Sequence, residues 1–407
     1  MKNDFKLRDY QQEASEKGTQ ILEDNKILIL NFEVRTGKTH IALDIAKNYE
    51  RVLFVTTKKA MSSILSDYEN AGHSFELVVI NYESLHKVEG EFDLVVCDES
   101  HKLGAFPKPS KRTKLLKSIV KNDLILVSGT LTPESPAQIF HQLWISPFNP
   151  IAYANFYKFF NAVGIKKTIR TPYGDKPDYS NVPYENVSHY IGKIKLSLTQ
   201  SEAGFTSKVN EHILHCDMSD TIKRTISRLK KDKIVQTSRG DILGDTGAKL
   251  MSKIHQLSSG TIKFEDGVSM VVDNSKALFI STHFSEEKIA IFYKFKEELN
   301  ALKMVYGDSL TTELDEFNNT DKSIALQIVS GREGVNLSKA SKLVYYNIDF
   351  SATSYWQSRD RLTTKDRTEN NVYWIFSRGG IENKVYKSVM NKRDFTLNTF
   401  KREILND

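Results

Sequence analysis

The chain has 407 residues, 40% of them hydrophobic and 27% charged, which excludes global disorder and leaves room for two domains with separate cores. No apolar run reaches membrane-spanning length, and charged residues stand where a signal peptide needs an apolar core, so a cytoplasmic protein without a membrane partner is expected. The two cysteines, Cys97 and Cys216, fit a reducing compartment, and the net charge of +6 mildly favours a polyanionic partner.

The first 145 residues alternate short apolar runs with stretches of helical spacing. Because these runs lack inside–outside alternation, they are expected to be buried on both faces, as in a parallel sheet flanked by helices. The predicted strands of this first lobe are residues 26–32, 51–57, 75–81, 92–99 and 123–130.

A second strand–helix series follows an irregular excursion at about residues 147–210, which is first aromatic and helical and then rich in turn residues. The strands predicted in this second series are residues 276–282, 303–308, 323–331, 342–349 and 372–377. The sequence therefore predicts two α/β lobes, residues 1–225 with the excursion and residues 226–407.

The stretch FEVRTGKT, residues 32–39, lies between a predicted strand and a predicted helix start. In a phosphate-binding loop, this context points backbone N–H groups and the helix N-terminus at the phosphates. Lys38 would contact the β- and γ-phosphates of ATP, and Thr39 would give a hydroxyl oxygen to Mg²⁺. Phe32 stands where the usual pattern has its first glycine, and a chance turn is the alternative interpretation.

An acidic pair, Asp98 and Glu99, ends the strand predicted at 92–99, and His101 follows it. A carboxylate at the end of a neighbouring strand can hold the same Mg²⁺ as the loop hydroxyl, and Glu99 could orient and partly deprotonate an attacking water. A helix cap with an acidic first turn is the alternative for such a pair. Its occurrence in one chain with the Gly-Lys-Thr loop favours the catalytic interpretation.

These motifs, in this order, resemble the superfamily-two nucleic-acid motors with a DExH-type box, specifically the Swi/Snf branch in a compact, virus-like form. LRDYQ (7–11) is similar to the adenine-side motif of that branch, which implies that Arg8 and Gln11 lie near the base. The resemblance implies a phosphate loop made by Arg35, Thr36, Gly37, Lys38 and Thr39. It also implies coupling between sites through His101, Ser128 of the LVSGT motif, Thr130 and Gly334.

The second half resembles the later motifs of the same branch. KALFISTHFSEEKIAIF (276–292) is similar to the first motif of the second lobe, and residues 328–361 are similar to the last two. By resemblance, Gln357 and Arg361 act in catalysis. The branch places a second arginine three positions after Arg361, but Thr364 stands there, so Arg359, Lys365 or Arg367 would have to supply that charge.

The resemblance implies two RecA-like lobes in tandem and an ATP- and Mg²⁺-dependent DNA translocase or helicase acting on duplex DNA, in the host cytoplasm if virus-encoded and serving viral replication. Residues expected to grip nucleic acid, mainly at phosphates, are Thr57, Lys58, Thr282, Ser330 and Arg332. A replication, recombination or transcription protein is left open as a partner.

Three alternatives remain open: a DExH RNA helicase, a non-catalytic subunit that binds ATP or DNA as a switch, and, least favoured, a small-molecule P-loop kinase. The basic stretch RLKKDK (228–233) could contact phosphates or could be a solvated helix face.

Overall fold

The computed structural model describes residues 5–171, 174–205, 208–331, 335–359, 362 and 369–390. The chain divides into two compact units, Met1–Phe205 and Thr206–Asp407. The sequence placed this boundary between residues 225 and 226. The segment between the two positions contains a strand, Lys208–Cys216, which belongs to the sheet of the second unit.

The first unit is an α/β layer structure around one parallel sheet. Its strands are β1 (Ile27–Phe32), β2 (Arg51–Thr56), β3 (Glu76–Asn81), β4 (Leu94–Asp98), β5 (Asp123–Ser128), β6 (Thr168–Thr171), β7 (Gly174–Pro177) and β8 (Lys195–Leu198). Its helices are α1 (Asp9–Asn25), α2 (Lys38–Ala46), α3 (Met61–Asn70), α4 (Lys111–Ile119), α5 (Ile139–Trp144), α6 (Phe156–Val163) and α7 (Glu185–Ile191).

Six of these strands form one sheet in the order β3-β2-β4-β5-β1-β8, and every neighbouring pair is parallel. The apolar runs become strands because helices cover both faces, so that Ile27, Leu53, Leu94 and Leu124 are fully buried. The strand order places the carboxyl ends of β4, β5 and β1 side by side. The irregular excursion contains the antiparallel hairpin of β6 and β7 and then β8, which extends the sheet beside β1.

The second unit repeats this architecture. Its strands are β9 (Lys208–Cys216), β10 (Ile234–Thr237), β11 (Gly240–Leu243), β12 (Thr261–Lys263), β13 (Ser269–Val271), β14 (Ile289–Tyr293), β15 (Leu310–Thr311), β16 (Ser323–Gln327), β17 (Lys342–Tyr345) and β18 (Glu369–Ser377). Its helices are α8 (Asp220–Asp232), α9 (Gly247–Ser258), α10 (Ser275–His283), α11 (Lys296–Tyr306), α12 (Leu314–Asn319), α13 (Ile328–Gly331), α14 (Ala352–Arg359) and α15 (Glu382–Met390).

The main sheet of this unit has six strands in the order β15-β16-β14-β17-β18-β9, again with parallel pairing throughout. The predicted fold class, two α/β lobes each built on a parallel sheet, is thereby confirmed. Among the described residues, no helix combines the length and the apolar character needed to cross a bilayer.

Two strand predictions in the second unit are wrong. Residues 276–282 lie in helix α10, and residues 303–308 cover the end of helix α11 and the turn after it. Ala277 and Ile280 are buried three residues apart while Leu278 is 47% exposed, which is the burial pattern of a helix face. A short apolar run does not distinguish a strand from such a helix. The strand that the quoted motif does contribute is β14, which begins at Ile289 near the end of the motif.

Candidate nucleotide-binding site

The loop between β1 and α2 has the backbone that a phosphate cradle requires. Gly37 precedes helix α2 in the left-handed region with φ 80°, and Arg35 also has a positive φ of 66°. A Cβ atom on Gly37 would lie 2.0 Å from Nε2 of Gln11, so this position needs glycine both for its φ and for space. Helix α2 then begins at Lys38, with its N-terminal N–H groups at the loop.

The start of helix α1 ties this loop in place. Nε2 of Gln11 donates to the carbonyl oxygen of Thr36 at 3.3 Å, and the Tyr10 hydroxyl donates to the same oxygen at 3.2 Å. Oε1 of Gln11 accepts from the backbone N–H of Arg8 at 3.0 Å, and the Arg8 side chain is exposed. Gln11 and Thr36 are both buried. The structure thus brings Gln11 against the loop with Arg8 beside it.

The acidic pair lies at the carboxyl end of β4. Oδ2 of Asp98 accepts a hydrogen bond from the Thr56 hydroxyl at 2.8 Å, and the Asp98 carbonyl accepts one from the Tyr82 hydroxyl at 2.6 Å. Burial and the adjacent Glu99 charge raise the pKa of Asp98 to about 6, against the lowering effects of Lys38 and Thr56. Thr56 is a contact that the sequence analysis missed. Its position could have indicated the contact, because Thr56 is the last residue of β2, the strand beside β4.

Glu99 is held differently from its neighbour. It has φ 50° and ψ 46°, and its Oε2 lies 3.3 Å from Nδ1 of His101. Burial raises the pKa of Glu99, but the hydrogen bond from His101 and the charges of Lys38, His101 and Lys102 lower it to about 2. At neutral pH Glu99 is therefore ionised and able to accept a hydrogen bond.

A line of polar contacts leads from the acidic pair to the end of β5. Nδ1 of His101 lies 3.2 Å from Oγ of Ser128, and Ser128 Oγ accepts from the backbone N–H of Thr130 at 3.2 Å. Ser128 is fully buried. Within the described part of the chain, the Thr130 hydroxyl is buried without a hydrogen-bond partner, which fits a ligand oxygen at this position.

Lys38 is the basic residue beside the acidic pair and the Ser-Gly-Thr motif. A Cβ atom on Gly129 would lie 3.1 Å from the Lys38 amino nitrogen, so the lysine reaches the backbone of the Ser-Gly-Thr motif. Its charge also lowers the pKa values of both Asp98 and Glu99. The acidic pair also suits Mg²⁺, because carboxylate oxygens are ligands that this ion prefers and two adjacent carboxylates leave negative charge for a divalent ion to offset. Thr39, which follows Lys38 in the first turn of helix α2, carries a hydroxyl oxygen of the same ligand type.

The residues predicted to contact nucleic acid are spread over both units. Thr57 is half-buried directly after β2, and Lys58 beside it is exposed. Thr282 is exposed in the last turn of helix α10, so the expectation that it ends a strand is wrong. Ser330 lies in the short helix α13 after β16. Arg332 lies outside the described residues.

The predicted catalytic residues of the second unit are only partly described. Gln357 lies in helix α14. Arg361 and Gly334 lie outside the described residues, as do Thr364, Lys365 and Arg367.

Arg359, the remaining candidate for the missing charge, is bound to a partly buried carboxylate. Nη1 of Arg359 donates to Oε1 of Glu211 at 3.1 Å, and the Tyr355 hydroxyl donates to the same oxygen at 2.7 Å. Oε2 of Glu211 accepts from Nε1 of Trp374 at 3.1 Å and from the Tyr386 hydroxyl at 2.6 Å. Glu211 on β9 therefore joins α14, β18 and α15. The sequence analysis missed Glu211, which lies in the middle of β9.

Lys294, directly after β14, is a further residue that the sequence analysis missed, because it placed the strand of this motif at residues 276–282. Its amino nitrogen lies 2.6 Å from Oδ1 of Asp349, and Oδ2 of Asp349 accepts from the Ser354 hydroxyl at 2.8 Å. Ion pairing and these hydrogen bonds hold the pKa of Asp349 below its usual value despite its burial, which by itself raises that pKa. The contact fixes the start of helix α14 against the end of β14.

Comparison with known proteins shows similarity in sequence over a short stretch and similarity in structure over nearly the whole chain. No protein-family model matches the chain. A stretch of 86 residues is 34% identical to the DNA excision repair protein CSB of Oryza sativa subsp. japonica, and it spans 20% of this chain and 7% of the rice protein.

Two solved structures are similar over nearly the whole chain. The Sulfolobus solfataricus SWI2/SNF2 ATPase core in complex with double-stranded DNA matches with a TM-score of 0.45 and 15% identity, over 100% of this chain and 94% of that one. The SWI2/SNF2 ATPase core domain of the same organism matches with a TM-score of 0.45 and 15% identity, over 99% and 91%. Both of these structural neighbours are SWI2/SNF2 ATPase cores.

Proposed function

We propose that the chain is a Swi/Snf-type, nucleic-acid-stimulated ATPase that uses ATP hydrolysis to move on or remodel duplex DNA. The observation that carries this proposal is the convergence of Lys38, Asp98 and Glu99 beside a glycine loop at one edge of a parallel sheet. A lysine, two carboxylates and a helix N-terminus at such an edge suit phosphoryl transfer to water. That the chain takes the compact, virus-encoded form is part of the same proposal.

In this mechanism Lys38 binds the phosphate tail, and Thr39 and Asp98 would hold Mg²⁺. The ion, when bound, neutralises charge on the phosphates. Glu99 orients the attacking water as a hydrogen-bond acceptor, because a carboxylate with so low a pKa is a weak proton acceptor. Arg8 and Gln11 are assigned to the adenine side, and the backbone of residues 35–37 to the phosphates.

The contacts of His101 give a physical route by which hydrolysis is coupled to the rest of the unit. An imidazole that lies within 3.3 Å of both Glu99 and Ser128 responds to a change at either one. We assign the coupling role to His101, Ser128 and Thr130, and on resemblance alone to Gly334.

Further catalytic residues are assigned to the second unit, and DNA-binding residues are assigned to both units. Gln357 and Arg361 take part in hydrolysis, and the described contacts of Arg359 with Glu211 favour Lys365 or Arg367 over Arg359 for the missing charge. Duplex DNA is held mainly at its phosphates by Thr57, Lys58, Thr282, Ser330 and Arg332, since a motor that moves along DNA cannot depend on base identity.

DNA is preferred to RNA as the substrate because the matched rice protein is named as a DNA excision repair protein. A partner protein in replication, recombination or transcription is part of the same proposal. An RNA helicase is the second candidate of the same enzyme class. A switch subunit without turnover is disfavoured by the complete Lys38–Asp98–Glu99 set.

The test is the ATPase rate across a panel of single- and double-stranded DNA and RNA. We expect duplex DNA to give the largest stimulation and Lys38→Ala to reduce hydrolysis to background, a loss of at least about 100-fold. The matched control is Lys47→Ala, which removes an exposed lysine just after the same helix and should leave the rate unchanged. Stronger stimulation by duplex RNA would favour the RNA helicase, and no turnover with saturating DNA would favour the switch subunit.

A further inference from the structure

Helix α8 divides sharply into an apolar and a basic face. Ile222, Ile226 and Leu229 are at most 5% exposed and pack into the core of the second unit. On the opposite face, Arg224, Arg228 and Lys231 are all exposed. They follow one another at the spacing of successive helical turns, so the three charges form one row along the helix.

The row lacks acidic partners in the part of the chain that the structure describes. Within the described ranges, no carboxylate pairs with Arg224, Arg228 or Lys231, whereas Lys223 lies 3.5 Å from Asp220. Residues 222–233 contain six lysines and arginines and one aspartate. Like charges one turn apart destabilise a helix, so an unpaired row of this kind is suited to an external polyanion.

The dimensions of the row match a nucleic-acid backbone. Seven residues of helix span about 10 Å. Duplex DNA carries about one phosphate charge per 1.7 Å of its axis, so the row faces several phosphates at once. The arginine guanidinium groups can each contact a phosphate with two N–H donors.

Other polyanions fit this face less well. A membrane surface would require an available apolar face on the same helix, and the apolar face of α8 is buried in the core. A protein partner would need aromatic or apolar anchor residues. Between Asp220 and Asp232, no large apolar side chain is exposed.

We propose that Arg224, Arg228 and Lys231 bind the phosphate backbone of duplex DNA, as a site separate from the nucleic-acid contacts assigned above. The inference deepens the proposed function and rests on it for the identity of the ligand. Because these contacts are to phosphates alone, they add affinity without sequence preference.

The experiment measures binding of a fluorescent duplex by the nucleotide-free protein over a salt series, together with ATPase titrations against DNA. For R224Q/R228Q/K231Q, we expect affinity to fall about 100-fold near 0.1 M salt and the salt slope of log K to fall by about 2 to 3. The DNA concentration for half-maximal ATPase should rise accordingly. The rate at saturating DNA and the DNA-independent rate should stay unchanged.

Two controls separate this site from a general loss of charge. K263Q/K296Q/K303Q removes three exposed lysines from other elements of the same unit and should leave affinity and salt slope nearly unchanged. R224K/R228K/K231R keeps the charges and should retain most of the affinity. The single substitution R228Q should lower the salt slope of log K by about one unit, and it tests the row in a minimally altered protein.

Unchanged affinity and salt slope in R224Q/R228Q/K231Q would overturn the proposal, as would equal losses in K263Q/K296Q/K303Q. Selective binding of RNA duplexes or anionic vesicles through the row, without binding to DNA, would also overturn it. If the wild-type protein binds DNA through the row but DNA does not stimulate its ATPase, the proposed motor function fails and this binding site stands.

Discussion

Nδ1 of His101 lies 3.3 Å from Oε2 of Glu99, and the same nitrogen lies 3.2 Å from Oγ of Ser128. The imidazole therefore links the proposed water-orienting carboxylate to the end of the neighbouring strand. We expect His101→Ala to lower the ATPase kcat at saturating DNA by about 10- to 100-fold, the value of one charge-assisted hydrogen bond. The KM for ATP should change far less, because Lys38 and the loop are untouched.

His86→Ala is the control for that change, since His86 is an exposed histidine of the same unit. A full pH–rate profile adds a second readout. Without His101 the pKa of Glu99 rises toward its usual value, so below about pH 6, where Asp98 is already being protonated, the rate should fall more steeply with decreasing pH than in the wild type. A variant with normal kcat and an unshifted profile would contradict the coupling role.

Gly37 is the position at which the loop depends most directly on backbone conformation. For Gly37→Ala we expect loss of ATP binding and destabilisation by about 2 kcal/mol or more, because the left-handed φ costs roughly 1–2 kcal/mol and the new methyl group meets Gln11. Equilibrium ATP binding and thermal unfolding measure the two effects.

Gly72→Ala is a matched control for that substitution. Gly72 has φ 67°, similar to the 80° of Gly37, but a Cβ atom there would meet nothing within 4 Å. It should therefore show the conformational cost alone and bind ATP normally. The double variant Gly37→Ala with Gln11→Ala should recover part of the lost stability, and no recovery would argue against the contact with Gln11.

His141 gives the first unit a defined pH dependence of stability. Its side chain is 3% exposed among aromatic rings, and Nδ1 donates to the carbonyl oxygen of Ala105 at 2.6 Å. Burial lowers the pKa of His141 to about 4. The unfolded chain therefore binds a proton at His141 more readily than the folded chain does, and protonation favours unfolding. The contribution of His141 to the free energy of unfolding is fully present above about pH 6.5 and is lost as pH falls toward about 4.

The expected loss over that window is about 3 kcal/mol from this residue. Denaturant unfolding at several pH values measures it, with His141→Phe and His141→Gln as variants that cannot titrate. Both should flatten the pH dependence between about 6.5 and 4 even if their absolute stabilities differ. A wild-type slope that persists in both variants would assign the effect to another group.

Glu211 is the main polar anchor of helix α14 in the second unit. Glu211→Ala removes the acceptor of four described hydrogen bonds, two of them from the buried side chains of Trp374 and Tyr386, so we expect destabilisation by about 3 kcal/mol. For a unit of this size that corresponds to a fall in Tm of about 10 °C. Calorimetry or the fluorescence of buried Trp374 would follow it.

Asp217→Ala is the corresponding control, because Asp217 directly follows β9 and forms an ion pair with Arg378 in which both side chains are more than half exposed. Such a surface pair contributes at most about 1 kcal/mol. Similar losses in the two variants would mean that the four contacts of Glu211 add little.

Elements whose signal is local could be predicted well. The strands β1 to β5 follow from continuous apolar runs, and the loop and the acidic pair follow from the polar residues at the ends of those runs. The prediction of a strand at 276–282 was wrong because the buried apolar residues of this stretch form one face of helix α10. The same helix carries Lys276, which forms a buried ion pair with Glu382. Only the neighbours of a short apolar run distinguish these two outcomes.

The sequence by itself determined the fold class, the strands β1 to β5 and the positions of the glycine loop and the acidic pair at the ends of those strands, because each depends on residues close together in the chain. The tertiary structure alone decided which distant side chains meet. Gln11 contacts a loop residue 25 positions away, and Glu211 accepts from Tyr386 across 175 positions. Such contacts depend on strand order and register, which place remote residues within hydrogen-bond distance and leave no periodic pattern in the sequence.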